Sequence, residues 1–201
     1  LGIAFDGDAD RVVALDEEGS IIRPDILLSL FIPNIINEDD SIVYEVKCSK
    51  SLEDMIKKYK GNPVMYKTGH SLIKNKMIES KSKLGGEMSG HIFFSDRYYG
   101  YDDGIYVALR LIEMLSSKKK ALSEYVSEVP KYVSTPEIRI DCVNDKEKFI
   151  LVEKLVSYFK KKFNCNLIDG VRVNFKGGWG LIRASNTEPV LVCRCEGENK
   201  E

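Results

Sequence analysis

No apolar stretch of this 201-residue sequence is long enough to cross a bilayer: the longest, Ile26 to Ile36, is too short and is interrupted by Pro33. No targeting segment is visible, which leaves a cytoplasmic location as the default expectation. There is no excess of charge of either sign. Thirty basic residues against 31 acidic ones leave a formal charge of -1, so the chain as a whole carries no electrostatic footprint for nucleic acid or an anionic membrane. Cysteine is scarce and odd in number, five, and Cys48, Cys142 and Cys165 stand far apart without zinc-finger spacing, so neither disulfides nor a structural zinc is expected. The other two, Cys193 and Cys195, fall in an alternating run, Val190 to Cys195, that reads as a strand sending both sulfurs to one face as core filler. Repeats and low-complexity tracts are also missing. So is an initiating Met, and with a strand already under way at Leu1 the expectation is a piece of a longer protein.

What is present is an ordinary globular composition, 43% hydrophobic, in a length that suits one large domain or two small ones. From Ser41 to about Ser117 strands and helices alternate. Ile42 to Val46 reads as a strand, Leu52, Met55, Ile56 and Tyr59 mark one helix face, and Pro63 to Tyr66 is a second strand. Ser71 to Ser80 reads as a lysine-rich helix ended near Gly85-Gly86, His91 to Ser95 as a strand, and Ile105, Leu109, Ile112 and Leu115 as the stripe of a long helix. Alternation of this kind predicts a Rossmann-like α/β layer domain. Beyond Lys118-Lys119-Lys120 the pattern loosens, and Pro130 and Pro136 flank a linker before a strand from Glu137 to Val143. A helix capped by Asn144, with Glu147 three residues on and Phe149, Val152, Val156 and Phe159 on its buried face, precedes strands Val171 to Phe175, Leu181 to Ala184 and Val190 to Cys195. This tail predicts a smaller α+β domain with an antiparallel sheet.

The best functional clue is Asp6-Gly7-Asp8-Ala9-Asp10-Arg11, held between the strand-like stretches Gly2 to Phe5 and Val12 to Leu15. Carboxylates pressed together repel unless a hard cation sits among them, and Mg²⁺ takes oxygen ligands while keeping room for a phosphate oxygen. An EF-hand calcium loop is the rival reading, with Glu17 at position twelve, but Arg11 stands where that loop needs Gly, and the flanks are strands rather than helices. A solvated acidic turn is the bland alternative. Arg183 and the following Ser185-Asn186-Thr187 join two strands and look like a phosphate cradle, a planar fork with short donors beside it, though a polar hairpin loop explains the same residues. Glu87, Ser89 and His91 recur at every second position between glycines; in an extended segment they share a face suited to vicinal sugar hydroxyls, and a solvent-facing strand edge is the alternative. His70 follows Lys67-Thr68-Gly69 at a helix start, and Lys47 lies beyond the carboxyl end of a strand, where α/β sheets place ligands.

Taken in order, D-G-D-A-D-R, Glu45-Val46-Lys47-Cys48, K-T-G-H-S-L-I-K, G-E-M-S-G-H and G-W-G-L-I-R-A-S-N-T-E-P resemble the α-D-phosphohexomutase family, over nearly the whole chain. Met88 is similar to the phosphomannomutase/phosphoglucomutase branch rather than the phosphoglucosamine branch. The resemblance implies the end of a second domain (residues 1–22), an α/β sugar-binding third domain (23–128) and an α+β phosphate-binding fourth domain (129–201). It implies interconversion of hexose 1-phosphates and 6-phosphates through a bisphosphate intermediate and a phosphoserine. The family's T-A-S-H-N-type motif for that serine is absent here, so the isolated chain is expected to be inactive and to need the N-terminal domains of the same enzyme as partner. By the same resemblance Asp6, Asp8 and Asp10 hold Mg²⁺ and Arg11 helps hold phosphoserine or substrate phosphate. Glu87 and Ser89 bind sugar hydroxyls, with His91 and Lys47 supporting that site. His70 is the candidate for proton transfer, and Arg183, Ser185, Asn186 and Thr187 grip the distal phosphate. A silent sugar-phosphate or metal binding module and a phosphoglucosamine mutase are the alternatives. Ala9 departs from the Gly frequent in the metal loop, a change tolerated unless φ there is positive.

Overall fold

A computed structural model describes residues 1–199, the side chain of Lys118 excepted. They form two compact units that meet in sequence at Pro130 and Lys131. In the first, β1 (Gly2–Phe5) and β2 (Val12–Leu15) pair antiparallel on either side of the acidic loop, and β3 (Ile21–Ile22) pairs with β2. The apolar stretch that follows is α1 (Pro24–Ile35), a helix the alternation did not reveal because it is apolar on nearly every side. Pro24 starts it, Leu27, Leu28, Phe31 and Ile32 are fully buried, and Pro33 lies in its last turn.

Then come β4 (Ser41–Glu45), α2 (Lys50–Lys58), β5 (Asn62–Tyr66), α3 (His70–Ser80), β6 (Leu84–Gly86), β7 (Ile92–Phe94), α4 (Gly104–Lys118) and α5 (Leu122–Ser127). The sheet runs β5-β4-β6-β7, its first three strands parallel and β7 antiparallel. This is the expected α/β layer domain, and its parallel strands end together at the residues that build the site described below.

Two details differ from expectation. Helix α3 stops at Lys81, which takes the left-handed cap with φ 52°, and Gly85-Gly86 instead belong to β6. A side chain cannot replace hydrogen at Gly85, where a Cβ would lie 2.6 Å from Met77 Sδ and 2.8 Å from the Val43 carbonyl oxygen. On α4 the buried stripe is Val107, Ala108, Leu111 and Met114, while Ile105, Leu109 and Ile112 are exposed. Apolar residues occur on both faces of this helix, so periodicity alone cannot choose. The choice is made at Gly104, which packs so closely on the acidic loop that a Cβ would sit 2.8 Å from the carbonyl oxygens of Ala9 and Arg11.

The second unit holds β8 (Val133–Ser134), β9 (Ile138–Asp141), α6 (Asp145–Phe159), β10 (Asn164–Asn166), β11 (Val171–Phe175), β12 (Gly178–Ala184) and β13 (Val190–Gly197). Its antiparallel sheet is ordered β10-β11-β12-β13-β8, with β9 also paired to β13. The cap of α6 is as expected: the Glu147 N–H donates to Asn144 Oδ1 at 3.0 Å. Phe149, however, is exposed, and Lys148 takes the inner position, donating to the Glu188 carbonyl at 2.8 Å. Cys193 and Cys195 are not core filler either. Arg194 and Glu196 occupy the buried positions of β13, Arg172 stacks on Trp179 at 3.8 Å, and the Trp179 indole N–H donates to Glu196 Oε1 at 3.0 Å. Paired charges around an aromatic ring therefore fill that face, leaving Cys193 half-buried and Cys195 exposed on the other.

Candidate active site

The acidic loop closes on itself through the Ala9 N–H, which donates to the Asp6 carbonyl at 3.3 Å, and Ala9 adopts φ 60° to make the turn. The methyl group thus sits in the left-handed region, the one condition under which it carries strain. Carboxylate oxygens of Asp6, Asp8 and Asp10 come within 4.8 Å of one another. Arg11 folds back on the loop: its Nε donates to Asp6 Oδ2 at 2.6 Å and its backbone N–H to Asp6 Oδ1 at 3.2 Å. Desolvation pushes the Asp6 carboxyl upward, but the two Arg11 donors outweigh it and hold the group below the usual carboxylate range. Asp10 Oδ1 is buried and makes no hydrogen bond among the described residues, with Arg11 Nε 3.6 Å away. Three oxygen donors with an orphaned buried oxygen among them are what a hard divalent cation satisfies, so the residues fit Mg²⁺.

Two contacts weld this loop to the rest of the unit. The Gly104 N–H at the start of α4 donates to the Ala9 carbonyl at 2.9 Å, and the Val12 N–H donates to the Gly90 carbonyl at 3.3 Å. Gly90 has φ 111°, and a Cβ there would lie 3.1 Å from Arg11 Cβ. The glycine is needed for both the turn and the close approach.

Gly90 belongs to the turn between β6 and β7, and here the expected geometry is corrected. Glu87, Ser89 and His91 do not share the face of an extended strand. They come from a tight hairpin turn in which the Glu87 N–H donates to the His91 carbonyl at 2.9 Å and the Gly90 N–H to the Glu87 carbonyl at 3.2 Å. The turn buries Glu87, half-buries His91 and exposes Ser89, whose hydroxyl donates to Glu87 Oε2 at 3.2 Å. Glu87 Oε1 accepts the Gly69 N–H at 2.6 Å, so the Lys67-Thr68-Gly69-His70 segment is pinned to the same turn.

Beneath both lies Glu45 at the end of β4, fully buried, a residue of the recognised motif to which sequence reasoning gave no role. Its Oε2 accepts the Thr68 hydroxyl at 2.6 Å, its Oε1 accepts the Met88 N–H at 2.8 Å, and Lys47 Nζ stands 3.7 Å away. Burial pushes its carboxyl up; Lys47 opposes that, the Glu87 charge adds to it, and the result is about 7. Glu45 therefore ties the loops after β4, β5 and β6 into one floor.

Asp102 is the second residue sequence reasoning missed. It precedes the α4 cap, and the pair Asp102-Asp103 reads as capping chemistry alone. Only Asp103 caps, accepting the Tyr106 N–H at 2.9 Å, while Asp102 is bridged to Phe93 and its carboxylate meets both histidines. Asp102 Oδ2 is 3.1 Å from His70 Nδ1 and 2.8 Å from His91 Nδ1, and the imidazoles stack with centroids 5.2 Å apart. His91 Nδ1 also lies 3.7 Å from Asp10 Oδ2. Of the sequence-selected residues, Asp6, Asp8, Asp10, Arg11, Lys47, His70, Glu87, Ser89 and His91 all belong to this connected group.

The second unit carries the other motif in the hairpin between β12 and β13. Arg183 is buried, with Nε donating to Asp169 Oδ2 at 2.8 Å and Nη2 to Asn186 Oδ1 at 3.0 Å. Asp169 is a partner that nothing in the sequence marked. Ser185 Oγ accepts the N–H groups of Thr187 and Glu188, each at 3.3 Å, shaping the turn and leaving Asn186 and Thr187 exposed.

The sequence profile of phosphoglucomutase/phosphomannomutase alpha/beta/alpha domain III matches residues 23–132, and that of the phosphoglucomutase/phosphomannomutase C-terminal domain matches 137–201. Phosphomannomutase/phosphoglucomutase of Pseudomonas aeruginosa is 48% identical over 204 residues, an alignment that takes in all of this chain and 44% of the relative. Phosphoglucomutase of Neisseria gonorrhoeae is 40% identical over the same extent. The chain thus spans under half the length of these curated relatives. A crystal structure of a phosphoglucomutase/phosphomannomutase family protein from Burkholderia thailandensis superposes with a TM-score of 0.90 at 41% identity, over 99% of this chain and 43% of that one. Fold, motifs and profile agree: the chain belongs to the phosphoglucomutase/phosphomannomutase family, with residues that match its third and C-terminal domains.

Proposed function

We propose that this chain supplies the metal-binding, sugar-binding and distal-phosphate-binding residues of a phosphohexomutase, an isomerase that interconverts hexose 1-phosphates and 6-phosphates. The observation that carries the reading is the junction of the acidic loop with the polar turn, Asp10 against His91 at 3.7 Å, with Glu87, His70 and Lys47 in the same group. A cation site next to a set of sugar-hydroxyl partners is what phosphoryl transfer to a hexose requires. The identities to enzymes named for mannose and glucose phosphates support those sugars ahead of glucosamine phosphate.

Asp6, Asp8 and Asp10 hold Mg²⁺, in keeping with the orphaned Asp10 Oδ1. A more distant relative in fold, an Aspergillus fumigatus N-acetylphosphoglucosamine mutase, was crystallised with its sugar phosphate and magnesium. When bound, the ion neutralises charge on the transferring phosphoryl group. Arg11 swings from Asp6 to the phosphoserine or substrate phosphate. Glu87, already oriented by the Gly69 N–H, accepts from two sugar hydroxyls, with Ser89 beside it, in a geometry that takes both orientations of the bisphosphate. Lys47 and His91 support this site, and His70 handles the proton of the reacting hydroxyl. Arg183, its fork fixed by Asp169, grips the distal phosphate with Ser185, Asn186 and Thr187.

On this reading residues 1–22 end the second domain, 23–128 form the third and 129–201 the fourth. The phosphoserine comes from the N-terminal domains of the same enzyme, and the isolated chain has no mutase activity. Mixing it with an N-terminal half that bears the serine, then following mannose 1-phosphate to the 6-phosphate, tests this. Turnover that needs both pieces and Mg²⁺ supports the mutase; sugar-phosphate binding without turnover favours a silent binding module.

A further inference from the structure

The His70–His91–Asp102 cluster is a different kind of site from the acidic loop beside it. Its three ligand atoms, two imidazole nitrogens and a carboxylate oxygen, lie within 4.8 Å of one another. Asp102 Oδ2 stands 3.1 Å from His70 Nδ1 and 2.8 Å from His91 Nδ1. Ligand atoms around a tetrahedral zinc ion, at metal–ligand distances near 2.1 Å, are separated by roughly 3.4 Å, so small side-chain rotations bring these three into place.

A second observation points to a missing ligand. His91 Nδ1 is buried and makes no hydrogen bond among the described residues, although Asp102 Oδ2 stands 2.8 Å and Asp10 Oδ2 3.7 Å away. A single divalent cation between the three groups would satisfy all of them at once. His70 is more than half exposed, which gives an ion a route in from solvent.

We propose that His70, His91 and Asp102 form a transition-metal site for Zn²⁺ or Co²⁺, separate from the all-oxygen site of Asp6, Asp8 and Asp10. The ligand chemistry separates the two: imidazole nitrogen suits zinc and cobalt, whereas Mg²⁺ favours oxygen throughout. Three protein ligands leave a fourth position open for water. Because the same imidazoles stand in the sugar site proposed above, an ion bound there competes with the sugar phosphate. That consequence rests on the proposed function; the binding itself does not.

Visible absorption of Co²⁺ added to the reduced 201-residue chain, followed by displacement with Zn²⁺, tests the proposal. The expected spectrum has the intense d–d bands of a four- or five-coordinate nitrogen/oxygen site and no thiolate charge-transfer band, which excludes Cys193 and Cys195. His70→Ala, at an exposed position in the first turn of α3, and Asp102→Asn should each weaken binding by at least about tenfold, while Asp8→Asn leaves it unchanged. Circular dichroism of each variant shows that the fold is kept. Weak octahedral bands only, a thiolate band, or a Co²⁺ affinity untouched by His70→Ala would overturn it.

Discussion

Glu45→Gln isolates the electrostatics of the site floor. In the folded chain the Glu45 carboxyl is pushed up to about 7 from an ordinary 4.5, chiefly because it is fully buried. A raised carboxyl means the folded state holds its proton over a range where the unfolded state has released it. Stability from this group is therefore present below about pH 4.5 and is lost as pH rises to 7, about 3 kcal/mol in all. Gln keeps the shape and an acceptor for the Met88 N–H, and the Thr68 hydroxyl can rotate, so the variant should fold. Its first unit should lack that pH slope. Amide hydrogen exchange in β4 and β6, measured across this range, reads the first unit alone, and fluorescence of Trp179, the single tryptophan, follows the second unit as an internal control. Equal slopes in wild type and Glu45→Gln would refute the assignment of Glu45 as a buried, proton-holding tie between loops.

Arg183→Ala removes the partner of Asp169 inside the second unit and should cost roughly 3 kcal/mol, seen as a lower urea midpoint by Trp179 fluorescence; on the proposed function it should also abolish phosphate binding at that loop. Gly85→Ala forces a methyl group against Met77 and the Val43 carbonyl, and should destabilise the first unit by about 1–3 kcal/mol in the same exchange experiment. Ala9→Gly relieves the positive φ at the turn of the acidic loop and should stabilise that unit by about 0.5–1 kcal/mol; a loss of stability would show that the methyl group packs favourably there.

Legibility of the sequence varied with the kind of interaction. The layer domain and the antiparallel tail could be read because strand alternation and the Asn144–Glu147 cap are local signals. Helix α1 could not, since a helix buried on all sides has no polar face to reveal its period. The buried stripe of α4 and the inner face of β13 were misjudged for a related reason: the decision lay in contacts distant in sequence, Gly104 on the acidic loop and the Arg172–Trp179–Glu196 stack. The motif residues of the site were legible through their order along the chain. Glu45, Asp102 and Asp169 were not, because each acts on a side chain or backbone group that only folding brings near, and a lone carboxylate in a sequence carries no mark of its partner.

The proposed function rests on the acidic loop and polar turn of the first unit taking Mg²⁺ and sugar hydroxyls, and on the Arg183 loop of the second unit taking phosphate. The most direct test is a ¹⁵N–¹H NMR titration of the chain with glucose 1,6-bisphosphate in the presence of Mg²⁺. Amides of Gly69, Ser89 and Gly90 in the first unit are expected to shift, as are those of Ser185, Asn186 and Thr187 in the second, and Asp8→Asn should remove the Mg²⁺-dependent part of the response near the acidic loop. Shifts confined to other surfaces, or none at millimolar ligand, would contradict it.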